Sequence, residues 1–252
     1  MDSCTSGRRR IGQRRRLSAG DGFTLIELLV VIAIIAVLMS ILIPSIERAK
    51  IQAKKILCAS NLRQHVYALS LYSIDHAGKI PLRQMSGWVW DLDFETVDMI
   101  LESGATRATF YCPCNRQQKL HNDKYWDYHG GYRVTGYFWM IDFADGQHQQ
   151  ILGTGNKKWI RTLASKDAER CELVTDVVLS DESYRPPEYP YGNFAKNSGG
   201  MFSRYGLYDE TSHMRSEAEC EGGNIGFADC HVTWRPFKDM ERRLSMYPTH
   251  WW

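Results

Sequence analysis

A chain of 252 residues with 44% hydrophobic and 24% charged side chains has the composition of a globular protein with room for one core and an appendage. Its formal charge of +2 is unevenly placed: Arg8, Arg9, Arg10, Arg14, Arg15 and Arg16 all precede residue 20, so the rest is slightly acidic. That distribution argues against a nucleic-acid partner and for a cytoplasmic topology signal ahead of a membrane segment.

The first predicted element is "GFTLIELLVVIAIIAVLMSILIP", residues 22–44. From Phe23 to Ile43 the only charge is Glu27, and as a helix the run spans about 30 Å, the hydrocarbon thickness of a bilayer. A carboxylate in that setting is costly without a partner, and the run contains no cation. Cleavage between Gly22 and Phe23 would create an α-amino group about one helical turn from Glu27, on this chain or on a neighbouring copy.

This stretch resembles the N-terminal signal of type IV pilins and type II secretion pseudopilins. The resemblance implies a leader, residues 1–22, removed after Gly22 by a prepilin peptidase. It further implies N-methylation of Phe23, assembly directed by Glu27, and a helix kink at Pro44. It also implies a single-pass protein of the bacterial inner membrane, with a cytoplasmic N-terminus and a periplasmic head. Its partners would be other copies, other pilin-like subunits, membrane lipid and an inner-membrane assembly platform, and its destination a filament that can be extracellular.

Past Pro44 the pattern becomes amphipathic. Ile46, Ala49, Ala53, Ile56, Ala59, Leu62, Val66 and Leu69 recur at three- and four-residue spacing, predicting a helix over 44–78 with one buried stripe. Gly78 and Pro81 supply its stop.

Residues 79–252 are expected to form a β-rich head. "SGWVWDLDF" and "ATFYCPC" read as strand-like pieces around a short helix near "ETVDMILESG". "GGYRVTGYFWMIDF" and "CELVTDVVLSDES" read as strands, and "RPPEYPYGNFAKNSGG" as a loop. "EGGNIGFADCHVTWRPF" predicts a closing hairpin with Ile225 and Phe227 facing the core on one strand, Val232 and Trp234 on the other, and the turn at Asp229-Cys230. The tail "FKDMERRLSMYPTHWW" is expected to add a short helix. The fold class is therefore α+β, a long N-terminal helix packed on an antiparallel head. The hairpin, with "CASNLRQHVYALSLYSIDHAGKIP" and "FYCPC", is similar to pilin-like proteins ending in a His-x9-Asp-Gly element. Here Glu219 stands where that histidine belongs, His213 lies further upstream of Asp229, and Cys230 replaces the glycine.

The chain has seven cysteines, and removal of Cys4 with the leader leaves six. In an oxidising periplasm pairing is the default. Cys230 at a turn and Cys220 in the apparent insertion suggest one bridge. Cys58 is expected to pair with Cys112 or Cys114, leaving Cys171 the remaining partner. A zinc set drawn from Cys112, Cys114, Cys220, Cys230, His213 and His231 competes with these bridges, as does a calcium set from Asp176, Asp181, Asp209 and Asp229. Neither has a recognisable ligand spacing, so no cofactor is assigned.

The sequence contains no G-x-S-x-G, P-loop, H-E-x-x-H or dinucleotide fingerprint and predicts no enzyme. Trp88, Trp90, Trp126 and Trp139 are read as core rings, with an exposed sugar- or partner-binding face as the competing role. Trp251 and Trp252 dock locally or meet a partner. The function expected is a filament subunit. The alternative is a membrane-displayed adhesin or ligand-binding envelope protein that uses the signal only for processing.

Overall fold

The computed structural model describes residues 23–84, 88–127, 131–144, 159–164, 166–183, 187–197, 209–244 and 248–252. Two compact units divide at Arg48 and Ala49, and helix α1, Leu25–Asp75, contributes to both.

In the first unit the described residues form the opening part of α1, with large apolar side chains from Leu25 to Ile43 exposed. Pro44 lies inside the helix and cannot donate to the carbonyl of Ser40. The hydroxyls of Ser40 and Ser45 bond back to the carbonyls of Val37 and Ile41, at 2.7 and 3.0 Å, so neither is left bare among apolar neighbours.

In the second unit the buried face of α1 is Cys58, Asn61, Leu62, His65, Val66, Ala68, Leu69 and Ser73. The amphipathic stripe therefore starts later than the sequence predicts. Ile46, Ala49, Ala53 and Ile56 are exposed, whereas Leu62, Val66 and Leu69 are fully buried. The polar residues Cys58, Asn61 and His65 take the inner positions, where a head that satisfies them accepts them. α1 ends at Asp75, and the left-handed backbone of Ala77, φ +54°, turns the Gly78 N–H back to the carbonyl of Ser73 at 2.7 Å, with Gly78 itself at φ +80°.

The head then runs β1 (Asp91–Asp93), α2 (Phe94–Glu102), α3 (Arg116–Trp126), β2 (Tyr132–Val134), β3 (Tyr137–Trp139) and β4 (Glu172–Asp176). It continues with β5 (Leu179–Ser180), β6 (Gly222–Phe227), β7 (Val232–Pro236), β8 (Arg242–Leu244) and β9 (Thr249–Trp251). All strand pairs among the described residues are antiparallel. They form a sheet ordered β3-β4-β6-β7, a second ordered β5-β9-β8, and the ribbon β1-β2. The architecture is α+β, a long N-terminal helix with antiparallel sheets.

β6 shows how helix and sheet meet. A Cβ at Gly226 would lie 2.9 Å from Val66 Cγ2 and 3.0 Å from Val174 Cγ1, so glycine lets α1 lie close to the central strands. Trp90, Phe110, Tyr137, Phe138 and Trp139 fill the core beside it.

Three local expectations change. "ATFYCPC" is not a strand: Arg107–Phe110 is a 3-10 turn, and Pro113 cannot donate to a ladder. α3 arises from the polar "RQQKLHNDKYW", capped by the Asn115 side chain accepting from the Gln118 N–H at 3.0 Å. The tail has only a 3-10 turn at Phe237–Asp239, and its remaining described length pairs as β8 and β9 beside β5.

Candidate functional site

Two places are candidates for functional chemistry. The first is the start of α1. Thr24 precedes the helix, and the Glu27 carboxylate accepts from both its backbone N–H and its hydroxyl, each at 2.8 Å. The Thr24 hydroxyl oxygen in turn accepts from the Glu27 N–H at 3.2 Å. This is a reciprocal capping box, written in the sequence as Thr24-x-x-Glu27. Sequence reasoning sought a partner for Glu27 in an amine and overlooked the hydroxyl three residues away. Phe23 is exposed beside it, and Gly22 with the rest of the leader lies outside the described residues.

The second place is inside the head. Cys58 comes from α1, and Cys112 from the segment after the 3-10 turn. The Cys112 N–H donates to Gln118 Oε1 at 2.8 Å, and Gln118 Nε2 donates to the Gly136 carbonyl at 3.2 Å. Asp176 ends β4. His213 sits in the approach to β6 with φ +56°, its carbonyl accepting from the Glu221 N–H at 3.0 Å and its ring edge-on to Trp234. These four converge. Cys58 Sγ lies 3.2 Å from Cys112 Sγ and 2.8 Å from Asp176 Oδ1. His213 Nε2 lies 2.9 Å from Asp176 Oδ2 and 3.5 Å from Cys112 Sγ. All four donor atoms fall within 4.8 Å of one another, and all four residues are buried.

Asp176 is held from behind by Asn224, whose backbone N–H and Nδ2 donate to Oδ2 at 2.7 and 2.9 Å. Burial would raise its carboxyl, but the His213 charge and bonds from His213, Cys58 and Asn224 keep it below the usual range. Burial opposes a charge on His213 too, yet Asp176 and Cys112 hold its proton on well above the ordinary imidazole value. Burial pushes the Cys58 and Cys112 thiols up to about 12. Cys114 is half-buried alongside, and its thiol is raised chiefly by neighbouring Cys112.

The sequence-based sets divide differently. Of the zinc candidates, Cys112 and His213 meet directly with Cys114 adjacent. Cys220 packs with Val178, Phe194 and Met240, while His231 pairs with Asp229 at the hairpin turn. Of the calcium candidates only Asp176 joins the cluster. Asp181 accepts from the Ser183 N–H at 2.9 Å, Asp209 accepts from Tyr125 Oη at 3.4 Å, and Asp229 stays on its turn. The six described cysteines carry free thiols. The expected Cys220–Cys230 bridge is not formed, because the two side chains pack into different clusters. Cys171 packs against the main core, and Cys58 approaches Cys112 rather than Cys114. Trp90 and Trp139 are buried and Trp88 stacks on Trp90 at 4.9 Å, which makes them core rings; Trp126 packs partly buried beside them. Trp252 is also buried, and Trp251 docks on Phe237 and Tyr191.

Comparison with known proteins agrees with the first place. Residues 20–43 match the family described as the prokaryotic N-terminal methylation motif. The ComG operon protein 3 homolog of Bacillus licheniformis is 30% identical over 103 residues, 41% of this chain and 92% of that protein. The type IV wide pilus major component PilA4 of Thermus thermophilus is 46% identical over 55 residues, 22% of this chain and 42% of that protein. No solved structure matches.

Proposed function

Since the chain belongs to the pilin-like proteins that carry the prepilin N-terminal methylation motif, we propose that it is a filament subunit of the type IV pilus or type II secretion pseudopilus class. A prepilin peptidase cuts after Gly22 and Phe23 is methylated. α1 holds the protein in the inner membrane, head outward, until it is drawn into the filament. There its exposed apolar surface exchanges lipid for the helices of other copies.

One observation carries this reading: Glu27 stands at the head of an exposed apolar helix, bonded to Thr24 and one turn from Phe23. The exposed Ile56, Leu57, Tyr67, Leu71 and Ile74 further along α1 also support it, as apolar surface for neighbouring subunits. The test is shearing and pelleting of cells that express the full chain with and without the peptidase. Filaments containing the protein are expected only with the peptidase. A cleaved protein that stays in membranes as single copies would contradict the proposal.

A further inference from the structure

We propose that Cys58, Cys112, Asp176 and His213 form a structural site for a thiophilic divalent cation of the zinc type, stapling α1 to the head. The inference stands apart from filament assembly, because all four residues lie within the unit 49–252.

The donor set fits such an ion. Two sulfurs, one imidazole nitrogen and one carboxylate oxygen are ligands that zinc accepts in tetrahedral sites. Zinc bonds of about 2.0–2.3 Å imply donor–donor edges of about 3.3–3.8 Å. Cys112 Sγ lies 3.2 Å from Cys58 Sγ and 3.5 Å from His213 Nε2, close to such edges, while Asp176 reaches Cys58 through Oδ1 and His213 through Oδ2; one donor atom from each of the four residues falls within 4.8 Å of the others. Nε2 of His213 faces the cluster, which leaves Nδ1 to carry the ring proton. The Asn224 bonds to Asp176 are the kind of outer contact that orients a ligating carboxylate.

Binding expels the two thiol protons, and the imidazole proton shared with Asp176, to solvent. Two thiolates and a carboxylate then face a dication, leaving one net negative charge against the Asn224 donors. The Asp176 and His213 side chains are fully buried, and four protein ligands fill a tetrahedron with no position for a reacting water. The site therefore builds structure. A Cys58–Cys112 disulfide is the competing use of the sulfurs, and it would tie only α1 to one loop. It gives no reason for a carboxylate and an imidazole to converge on the same two atoms.

The test is metal analysis of the full chain, purified in detergent without chelator. About one zinc per chain is expected, lost in Cys112→Ser and in Asp176→Asn but kept in Cys220→Ser. The unmutated chain, stripped and reloaded with Co2+ alone, should show the thiolate charge-transfer and strong ligand-field bands of tetrahedral cobalt. That readout holds whether or not a variant folds. Zinc retained equally by Cys112→Ser overturns the site. So does a wild-type chain without bound metal or cobalt bands, whether its Cys58 and Cys112 are free or disulfide-bonded.

Discussion

Thr24 and Glu27 satisfy each other. The carboxylate takes the N–H and the hydroxyl of Thr24, and that hydroxyl takes the Glu27 N–H. The acid in the apolar helix therefore has two separable capacities. As a hydrogen-bond acceptor it caps α1, and as a charge it would answer the amine that cleavage after Gly22 exposes at Phe23.

Substitution at Glu27 separates the two. A glutamine side chain in its place would still accept from Thr24, because glutamine serves in a capping box as glutamate does. Glu27→Gln is expected to leave membrane insertion and leader cleavage intact and to abolish pelletable filaments, as Glu27→Ala should. Normal filaments from Glu27→Gln, with none from Glu27→Ala, would show that the cap rather than the charge is required.

The helix–sheet seam gives a second expectation. A methyl group added at Gly226 would press on Val66 and Val174, at 2.9 and 3.0 Å, where neither central strand nor helix can yield freely. Gly226→Ala should cost about 1–3 kcal/mol, the usual penalty of overpacking, read as a lower denaturation midpoint of the head with an unchanged denaturant slope.

Much of this seam could be read in the sequence, and the parts that could not have physical causes. The apolar run, the Gly78 stop and the 222–236 hairpin are each specified by residues close together in the chain. Cys230 at a left-handed turn position is another, with φ +73°. α3 is mostly polar, with its Leu120 exposed, and owes its existence to the Asn115 cap and to the buried Gln118 and Tyr125, which periodicity does not reveal. The four-residue cluster draws on positions 58, 112, 176 and 213. No short motif joins them, and only the topology brings the end of β4 beneath α1. The inner positions at Cys58, Asn61 and His65 were hidden because polar residues on a buried stripe look like its solvent side.

Cys230 supplies a third test. An L-residue in the left-handed region costs about 1–2 kcal/mol, which glycine avoids while adding some unfolded-state entropy. With its thiol free, Cys230→Gly should stabilise the head by about 0.5–1 kcal/mol in denaturant melts. A loss of stability in non-reducing conditions, absent with reductant, would mean that a bridge to Cys220 forms after all.

Acid sensitivity follows from two buried histidines away from the cluster. Burial lowers His65 to about 3, where its ring packs between Phe110 and Trp139 and meets Thr109 Oγ1 at 3.2 Å. Burial likewise lowers His250 to about 3, against Trp90 and Phe138. Both are held neutral when folded and take up a proton near pH 6.5 when unfolded. Their contribution is thus fully present above about pH 6.5 and is lost as pH falls toward about 3, at up to about 1.4 kcal/mol per pH unit each. Thermal melts from pH 7 to 4 should show that slope, and His65→Leu should flatten it.

The central claim is that proteolysis after Gly22 frees the amine that Glu27 answers. Intact-mass and N-terminal peptide analysis of the protein from cells with a prepilin peptidase tests it most directly. The account predicts a chain that begins at N-methylated Phe23. A chain that still begins at Met1 under those conditions would contradict it.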